Sequence, residues 1–358
     1  MPNMNLVRTL SDNFFSITNY LKNPRLRKDL KVLKISQRGY TYHGWKICKK
    51  IRIVKCLEKP MSIDEIIRMK KIKNKEMLEA LLDFLVGQGI LNFTNNKYVL
   101  AGKEPKYSEE DEIFIKTNCP GSWEWSHFLY KHAEEVLVGG HPHFKTGFTD
   151  TKVLSLWSAV FEESLHSIRQ IAIEKVTSNL KKDAKIADLG CGSGISLIEI
   201  LANVNNEINL VGFDNSKEMI RRSEEMINKL VEGYPTQINK RNVENLQLSL
   251  HNLTEGFPKD EKFDVVFLSL IISYIPKDKR NDFFRDINNI LKEDGRVVIF
   301  QLINQSKFDR IFSDWLLYVV PNYHGFPFKD EYLKMLSDNF KNIKCYMNSN
   351  IIVARKKQ

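Results

Sequence analysis

Nine residues near the middle of the chain, Ile186 to Gly194, read IADLGCGSG and restrict the fold more than any other stretch. A short apolar run ends in an acid, and glycines follow at every second position: Gly190, Gly192 and Gly194. Glycine lets a backbone turn tightly or approach a ligand closely where a Cβ would collide. The apolar run predicts a buried strand, and the next segment, Ser196 to Val204, predicts a helix. A strand, a glycine turn and a helix amino terminus together indicate a nucleotide-type pocket.

The chain after residue 182 alternates between strand and helix patterns. This alternation predicts an α/β fold with a Rossmann-like, doubly wound, mostly parallel sheet whose last strand pair is an antiparallel hairpin. A helical insertion is predicted from about Lys307 to Asn339. The predicted strands are Ile186–Leu189, Asn209–Asp214, Leu246–Leu250, Asp264–Leu270, Arg296–Gln301, Ile343–Met347 and Ile351–Ala354.

The front of the chain predicts a separate, mostly helical module. Ser62 and Glu65 form a capping-box pattern, so a helix is expected from there to about Lys70. A second helix is expected from Asn74 to Gln88, and a short hairpin follows. The order helix, helix, hairpin is typical of a winged helix. Further expectations are amphipathic helices in Leu6–Leu33, an apolar segment at Ile51–Leu57, hairpin strands Ile90–Phe93 and Lys97–Leu100, a turn at Cys119–Gly121 and a long helical pattern over Lys152–Leu180.

The net charge of +10 lies in this front module, because the first 100 residues hold 20 Lys and Arg against 8 Asp and Glu. Such a basic excess raises the hypothesis of nucleic-acid binding. The second front helix argues against it, since a helix that reads the major groove needs polar and basic side chains. Here the helix is apolar, and its charges are mostly acidic: Glu76, Glu79 and Asp83 against Lys75. We expect it to pack against protein and keep nucleic-acid binding as the less favoured alternative.

Three parts are predicted: a winged-helix-like structural or dimerisation domain (1–101), a helical connector that contributes to a substrate pocket (102–181) and a nucleotide-type binding domain (182–358). The sequence shows no run of the ~18–20 apolar residues that a membrane span needs. The start lacks a signal-peptide core, and five scattered cysteines fit a reducing compartment, so a cytoplasmic location is expected. No metal site is predicted, because His141 and His143 have no nearby carboxylate or third ligand.

Three further features belong with the glycine loop. Asp214 ends the second predicted strand, where an acid can accept hydrogen bonds from a ribose diol. His251 and Asn252 end the third, where a side chain can cap an adenine edge. The glycines are spaced G-x-G-x-G, unlike the G-x-G-x-x-G of a dinucleotide fingerprint. Asp188, two residues before the first glycine, can help to hold a cationic amino-acid group.

The segments ADLGCGSG, VGFD and FDVVFLSLIISYIP resemble the class I S-adenosylmethionine-dependent methyltransferases. The front module and the segment Gly140-x-Pro142-x-Phe144 resemble the small-molecule O-methyltransferases that carry an N-terminal winged helix. The resemblance implies S-adenosylmethionine as cofactor, a small-molecule acceptor, and a homodimer formed through the front module. By position, it also implies a cofactor-binding set of Asp188, Gly190, Gly192, Gly194, Asp214, Asn215, His251, Asn252 and Ser269.

One position departs from that family. Plant-type relatives place a catalytic histidine where Ser273 stands, and a serine without an activator cannot act as a base near pH 7. The candidate catalytic residues are therefore Tyr274, His141, His143 and His324. The candidate acceptor-binding residues are Trp157, Phe161, Trp315 and Tyr323. We expect methylation at oxygen. The alternatives are methylation at carbon or nitrogen of a keto acid, amine or peptide, a nucleic-acid-binding protein or RNA methyltransferase, and a cofactor-binding scaffold without turnover.

Overall fold

The computed structural model describes residues 24–140, 151–163, 165–233, 239–257 and 261–357. The chain groups into two compact units. The first unit is Met1–Ser164 with Ile303–Phe328, and the second is Leu165–Leu302 with Lys329–Gln358. The division into 1–101, 102–181 and 182–358 stays a prediction. Within the described ranges, no helix combines the length and the apolar character needed to cross a membrane.

The first unit is mostly helical, with one small hairpin. Its helices are α1 (Pro24–Lys50), α2 (Ile53–Cys56), α3 (Ile63–Lys70), α4 (Lys75–Gly87), α5 (Glu109–Asn118), α6 (Pro120–Gly139) and α7 (Thr151–Glu163). Strands β1 (Leu91–Thr94) and β2 (Lys97–Leu100) pair antiparallel. The predicted capping box is confirmed, because Ser62 N donates to Glu65 Oε2 (2.6 Å) and Glu65 N donates to Ser62 Oγ (3.3 Å). The winged-helix assignment stays a prediction.

Two local predictions for this unit are wrong. Helix α1 does not end at Leu33 but continues to Lys50, because Tyr40, Trp45 and Cys48 are buried along it. Cys119–Gly121 is not a turn between loops, since Pro120 is the first residue of α6. Proline is favoured at that position because its missing N–H would have no intrahelical partner. The part of Leu6–Leu33 before residue 24 lies outside the described residues.

Helix α4 is buried on nearly every side, as its apolar sequence predicts. Its buried residues are Met77, Leu78, Ala80, Leu81, Leu82, Asp83, Phe84 and Leu85. The expectation that this helix packs against protein is confirmed. A helix enclosed in this way presents little surface to a DNA groove.

The second unit is a doubly wound α/β sheet, as predicted. Its seven strands lie in the order β5-β4-β3-β6-β7-β9-β8, in which β9 alone runs opposite in direction to the other six. The strands are β3 (Ala184–Leu189), β4 (Ile208–Asp214), β5 (Gln247–Leu250), β6 (Phe263–Ser269), β7 (Leu291–Phe300), β8 (Phe340–Tyr346) and β9 (Ile351–Lys356). The helices are α8 (His166–Thr177), α9 (Ile195–Ala202), α10 (Lys217–Gly233), α11 (Lys240–Glu244), α12 (Arg280–Ile290) and α13 (Lys329–Asn339).

The predicted helical insertion over Lys307 to Asn339 is only partly helical. It contains one short helix, Asp314–Leu317, and then α13. The segment Ile303–Phe328 belongs to the first unit although its neighbours in sequence belong to the second. Asn304 holds this segment together, because its Oδ1 accepts from Ile311 N (2.9 Å) and its Nδ2 donates to Asp314 Oδ2 (2.8 Å).

Candidate cofactor site

The glycine loop lies where the strand order of the sheet reverses. From β3 the chain builds β4 and β5 on one side, and β6 and β7 on the other. In open α/β sheets, ligands bind at such a switch point, outside the carboxyl ends of the strands. Residues 190–194 follow the carboxyl end of β3, and Asp214 and Ser269 end the two strands beside it. The site is therefore assembled from the ends of three adjacent strands.

All three glycines of the loop have backbone angles that L side chains rarely adopt. The φ angles of Gly190, Gly192 and Gly194 are 77°, 56° and 86°. The N–H groups of Gly190 and Cys191 both donate to the carbonyl of Phe213, at 2.7 and 2.9 Å, which fixes the turn against β4. A Cβ on Gly192 would meet no heavy atom of the described residues within 4 Å, so this glycine borders open space. A ligand can approach the backbone there.

Two alanine substitutions in the loop are expected to separate folding from ligand binding. A Cβ at Gly194 would lie 3.1 Å from Ser223 Cα, so Gly194→Ala should lower the free energy of unfolding by about 2–3 kcal/mol. Gly192→Ala adds only the strain of a positive φ, about 1 kcal/mol, but fills the open space. We therefore expect Gly192→Ala to weaken nucleotide-ligand binding more than Gly194→Ala does. Urea unfolding measures the change in stability, and calorimetry measures the change in ligand binding. Equal stabilities of the two variants would contradict the assignment of Gly194 to packing and of Gly192 to the ligand-facing side of the loop.

Asp188 is a buried acid with unused hydrogen-bonding capacity. Its side chain is 0% exposed, and neither carboxylate oxygen finds a hydrogen-bond partner in the part of the chain described. Burial, and then the negative charges of Asp214 and Glu199, raise its pKa to about 8. A buried acceptor without a donor is costly. A positively charged ammonium group would relieve this cost, so the residue fits the cationic end of an amino-acid ligand.

Asp214 connects the loop to the end of β4. Its Oδ2 accepts from Gly192 N (3.0 Å), and its Oδ1 accepts from Ser216 N (2.9 Å). Burial raises the pKa of this carboxyl, while these backbone N–H groups oppose the shift. A carboxylate offers about four acceptor positions, so it retains capacity for the two hydroxyls of a ribose. Asn215 follows it and is exposed at the strand tip.

The two residues after β5 already have partners. The Nε2 of His251 hydrogen-bonds to the carbonyl of Gly256. The Oδ1 of Asn252 accepts from Thr254 N (3.2 Å), and its Nδ2 donates to Glu255 Oε1 (2.8 Å). Asn252 thus caps a short 3-10 helix, a common role for asparagine. A contact of either residue with adenine stays a prediction.

The end of β6 forms the opposite side of the site. The hydroxyl oxygen of Ser269 is buried and has no hydrogen-bond partner within the described ranges. Leu270 has φ of 58°, an unusual value for a leucine. Ser273 is 1% exposed, and its Oγ donates to Leu270 O (3.3 Å). Ser273 is therefore a structural residue of the turn, and it is not oriented as a base.

Two groups of residues that the sequence analysis did not identify support this site. Gln301, at the end of β7, accepts from Ile272 N at its Oε1 (3.0 Å) and donates from its Nε2 to Leu302 O (3.1 Å). Arg169 forms a two-point ion pair with Glu199, at 2.7 and 2.8 Å, and its positive charge opposes the rise in the pKa of Asp188. Neither group follows a sequence motif, so only the fold reveals it.

The candidate catalytic and acceptor-binding residues are divided between the units. Tyr274 lies in the second unit, and burial raises the pKa of its phenol well above its usual value. Such a phenol stays protonated at neutral pH and fits a hydrogen-bond donor better than a base. In the first unit His324 is half-buried in a loop. His141 and His143 lie outside the described residues.

The candidate acceptor-binding residues all belong to the first unit. Trp157 is half-buried on α7, with its ring 5.3 Å from that of Trp125. Trp315 is 0% exposed, and the hydroxyl of Tyr323 donates to Asp314 Oδ1 (2.6 Å). Phe161 lies on α7, and its side chain is outside the described part. Their role in acceptor binding stays a prediction.

Comparison with known proteins finds similarity to methyltransferases, over a range that also includes part of the Ile303–Phe328 segment of the first unit. Residues 180–321 match the family model described as "Methyltransferase domain". The chain is 23% identical over 241 residues to a ribosomal protein L11 methyltransferase of Thermosipho melanesiensis, covering 64% of this chain and 85% of that protein. It is 31% identical over 147 residues to a carboxy-S-adenosyl-L-methionine synthase of Campylobacter concisus, covering 38% of this chain and 56% of that protein.

Solved structures match nearly the whole chain. The CurJ carbon methyltransferase aligns with a TM-score of 0.67 and 13% identity, covering 99% of this chain and 96% of that one. An O-methyltransferase family 2 protein of Planctomyces limnophilus, in complex with apigenin, aligns with a TM-score of 0.57 and 13% identity, covering 92% and 96%. At these identities the likeness shows a shared fold.

Proposed function

Because this chain carries a class I S-adenosylmethionine-dependent methyltransferase domain, we propose that it methylates a small-molecule acceptor at an oxygen atom that arrives already ionised. The observation that carries this proposal concerns Ser273, which stands at the position where a base is expected. Its side chain is buried and donates a hydrogen bond to a backbone carbonyl. Carboxylic acids and acidic phenols lose their proton without enzymatic help near pH 7. Most carbon acids do not, so an oxygen nucleophile suits the site.

The residues of the glycine loop fit the donor. Asp188 would pair with its ammonium group, Asp214 would accept from its ribose hydroxyls, and the open space at Gly192 would admit it close to the backbone. When bound, S-adenosylmethionine supplies a methyl group already activated on a sulfonium. The remaining work of the chain is to align the acceptor and exclude water, which can itself provide much of a rate enhancement. Tyr274, held protonated, can donate a hydrogen bond to a bound acceptor.

A second candidate is methylation at carbon. The CurJ carbon methyltransferase aligns with a higher TM-score than the apigenin-bound O-methyltransferase, 0.67 against 0.57. A carbon between two carbonyl groups is acidic enough to react with limited help from the protein. Transfer to nucleic acid is less favoured, because α4 is buried and acidic. Homodimer formation through residues 1–101 and a cytoplasmic location remain predictions.

The donor assignment is tested by calorimetry with S-adenosylhomocysteine. Asp214→Ala removes the acceptor of two backbone N–H groups and of the ribose hydroxyls, so we expect binding about 30- to 100-fold weaker. Asp282→Ala is a matched control, because Asp282 is an exposed acid whose partner is Arg285 on the same helix. Absence of binding to the wild type, or equal binding by Asp214→Ala, would reject the assignment.

The acceptor atom is tested by turnover with methyl-13C-labelled donor. Acceptor mixtures should contain carboxylates, phenols of graded acidity, 1,3-dicarbonyl compounds and amines. The carbon shift of the product methyl group distinguishes O-methyl, C-methyl and N-methyl products. We expect O-methyl products whose rates follow the ionised fraction of the acceptor. Products methylated only at carbon would replace the first candidate with the second.

A further inference from the structure

A cavity of about 540 Å³ lies in the second unit near the amino ends of β3 and β6, at the opposite end of these strands from the glycine loop. Its floor consists of residues of β6, β7, β8 and β9, and its wall is the end of α8 with residues 178–181. Ala184 borders this cavity and begins β3, whereas Leu189 ends β3 beside the glycine loop. At about 3.3 Å per residue, roughly 16 Å of strand separates the two sites. The volume is in the range of a small-molecule site.

The lining of this cavity has an excess of positive charge. It contains five basic residues: Lys175, Lys181, Arg296, Lys344 and Arg355. It contains two acids, Asp264 and Asp294. Asp264 is already engaged, since its Oδ2 accepts from Lys292 Nζ (2.7 Å) and Lys185 N (2.8 Å). Asp264 also acts electrostatically on Arg296 and Lys181, so the two acids offset the five cations only in part.

Two arginines face each other across neighbouring strands. Arg296 on β7 pairs directly with Arg355 on β9, and residues opposite each other on antiparallel strands project from the same face. Like charges in this arrangement are destabilising. Burial, and then the charge of Arg355, lower the pKa of Arg296, while the charge of Asp264 opposes the shift. An anion between the two guanidinium groups would remove this repulsion.

The other hydrogen bonds of Arg296 hold it in place without neutralising it. Its Nη2 donates to the carbonyls of Val176 (2.9 Å) and Ser178 (2.6 Å) at the end of α8. Its Nε is buried and finds no acceptor among the residues that the structure describes. The guanidinium is thus fixed by carbonyls at the carboxyl end of α8, whose helix dipole supplies only a partial negative charge.

The lysines complete a positively charged rim. Lys344 pairs with Val353 on the same face of the sheet, and Lys175 Nζ lies 5.0 Å from the ring centre of Tyr346. Neither lysine forms an ion pair with a carboxylate of the described residues, and the same holds for Lys181. Lys344, Lys181 and Arg355 are exposed, so they can move to meet a ligand.

We propose that this cavity binds a small phosphorylated molecule through its phosphate or diphosphate group. A phosphoryl group offers several acceptor oxygens and two negative charges, which matches paired guanidinium groups with surrounding lysines. Tyr346 and Val353 provide an adjoining surface for an uncharged part of the ligand. The site is separate from the glycine loop, so both can be occupied in one molecule.

The test uses calorimetry of the full chain with inorganic pyrophosphate and, in a second arm, glycerol 3-phosphate, at constant ionic strength. The double variant Lys344→Ala, Arg355→Ala removes two exposed cations from the cavity. The control double variant Lys229→Ala, Lys240→Ala removes two exposed lysines of α10 and α11 that do not line it. We expect saturable binding by the wild type and the control, and at least about tenfold weaker binding by the cavity variant. Binding of S-adenosylhomocysteine should be unchanged in both variants.

Three results would overturn the proposal. The first is that neither phosphate compound binds saturably. The second is that both double variants lose the same amount of affinity for the phosphate compounds. The third is that single-stranded RNA binds while neither phosphate compound does. Tighter binding of pyrophosphate would assign a diphosphate ligand, and tighter binding of glycerol 3-phosphate would assign a phosphomonoester. Because S-adenosylhomocysteine binding is measured separately, failure of this proposal is distinguishable from failure of the donor assignment.

Discussion

Replacing Arg310 with alanine is expected to lower the free energy of unfolding by about 3–5 kcal/mol. The guanidinium lies between two buried acids of the first unit, donating to Asp83 Oδ2 (3.0 Å) and Asp314 Oδ2 (2.9 Å). The side chains of Asp83 and Asp314 are 0% and 1% exposed. Tyr98 and Tyr323 each donate a hydroxyl to one of them, so the acids are already enclosed by partners. Without Arg310, Asp314 loses this cationic partner and Asp83 keeps only Lys307, whose Nζ lies 3.8 Å from its Oδ1.

Urea unfolding of Arg310→Ala and of Arg285→Ala measures this effect. Arg285 is an exposed arginine that also pairs with an acid, Asp282, so it controls for loss of an ion pair as such. Exposed pairs contribute ~0–1 kcal/mol. A triple variant, Arg310→Met with Asp83→Asn and Asp314→Asn, removes all three charges and should recover part of the loss. If Arg310→Ala and Arg285→Ala unfold at the same urea concentration, the buried network does not stabilise the first unit.

Replacing Asp188 with asparagine is expected to stabilise the ligand-free protein at pH 8 and to impair donor binding. The pKa of this carboxyl is about 8 in the folded chain, against 3.8 for an unperturbed aspartate, so the folded state holds the proton more strongly. Between pH 4 and pH 8 the folded state therefore binds more protons than the unfolded state. The contribution of Asp188 to stability falls as pH rises through this window. An asparagine side chain carries no titrating proton, so Asp188→Asn should gain about 2–4 kcal/mol at pH 8 and little at pH 4.

Unfolding curves of the wild type and of Asp188→Asn at several pH values between 4 and 8 show whether the gain grows with pH. Asp282→Asn, an exposed acid, serves as the control and should show no such trend. Calorimetry at pH 8 should show S-adenosylhomocysteine binding at least tenfold weaker in Asp188→Asn, because an amide cannot pair with an ammonium charge. A gain that is constant across pH would contradict a buried, protonated Asp188. Unchanged binding would remove Asp188 from the site.

The cofactor loop was predictable from sequence because its chemistry is local. Three glycines with positive φ, an acid before them and an acid at the next strand end all follow from spacing along the chain. The doubly wound sheet was predictable for the same reason, since alternating strand and helix patterns are read within short windows. The capping box at Ser62 is another local signal that the structure confirms.

Features that depend on distant partners were not predictable. Arg310 and Asp83 are 227 residues apart, so no window of sequence links them. Arg296 and Arg355 become neighbours only through the position of β9 beside β7. The wrong prediction of a turn at Cys119–Gly121 has a local cause. A proline can mark either a turn or the first residue of a helix, and Pro120 begins α6. The side chain of Asn252 caps the helix that follows it, and its contact with adenine stays a prediction.

The placement of Ile303–Phe328 in the first unit has a consequence for synthesis on the ribosome. Domains generally fold as units, in the order in which they leave the ribosome. Here the first unit lacks the segment that holds Arg310 and Asp314 until Ile303–Phe328 has been made, when most strands of the second unit have already been translated. Until then, Asp83 in the amino-terminal unit has its hydrogen bond from Tyr98 but no arginine partner. A gene fragment that ends at residue 164 would encode an incomplete unit, and a useful fragment must restore residues 303–328 through an engineered linker.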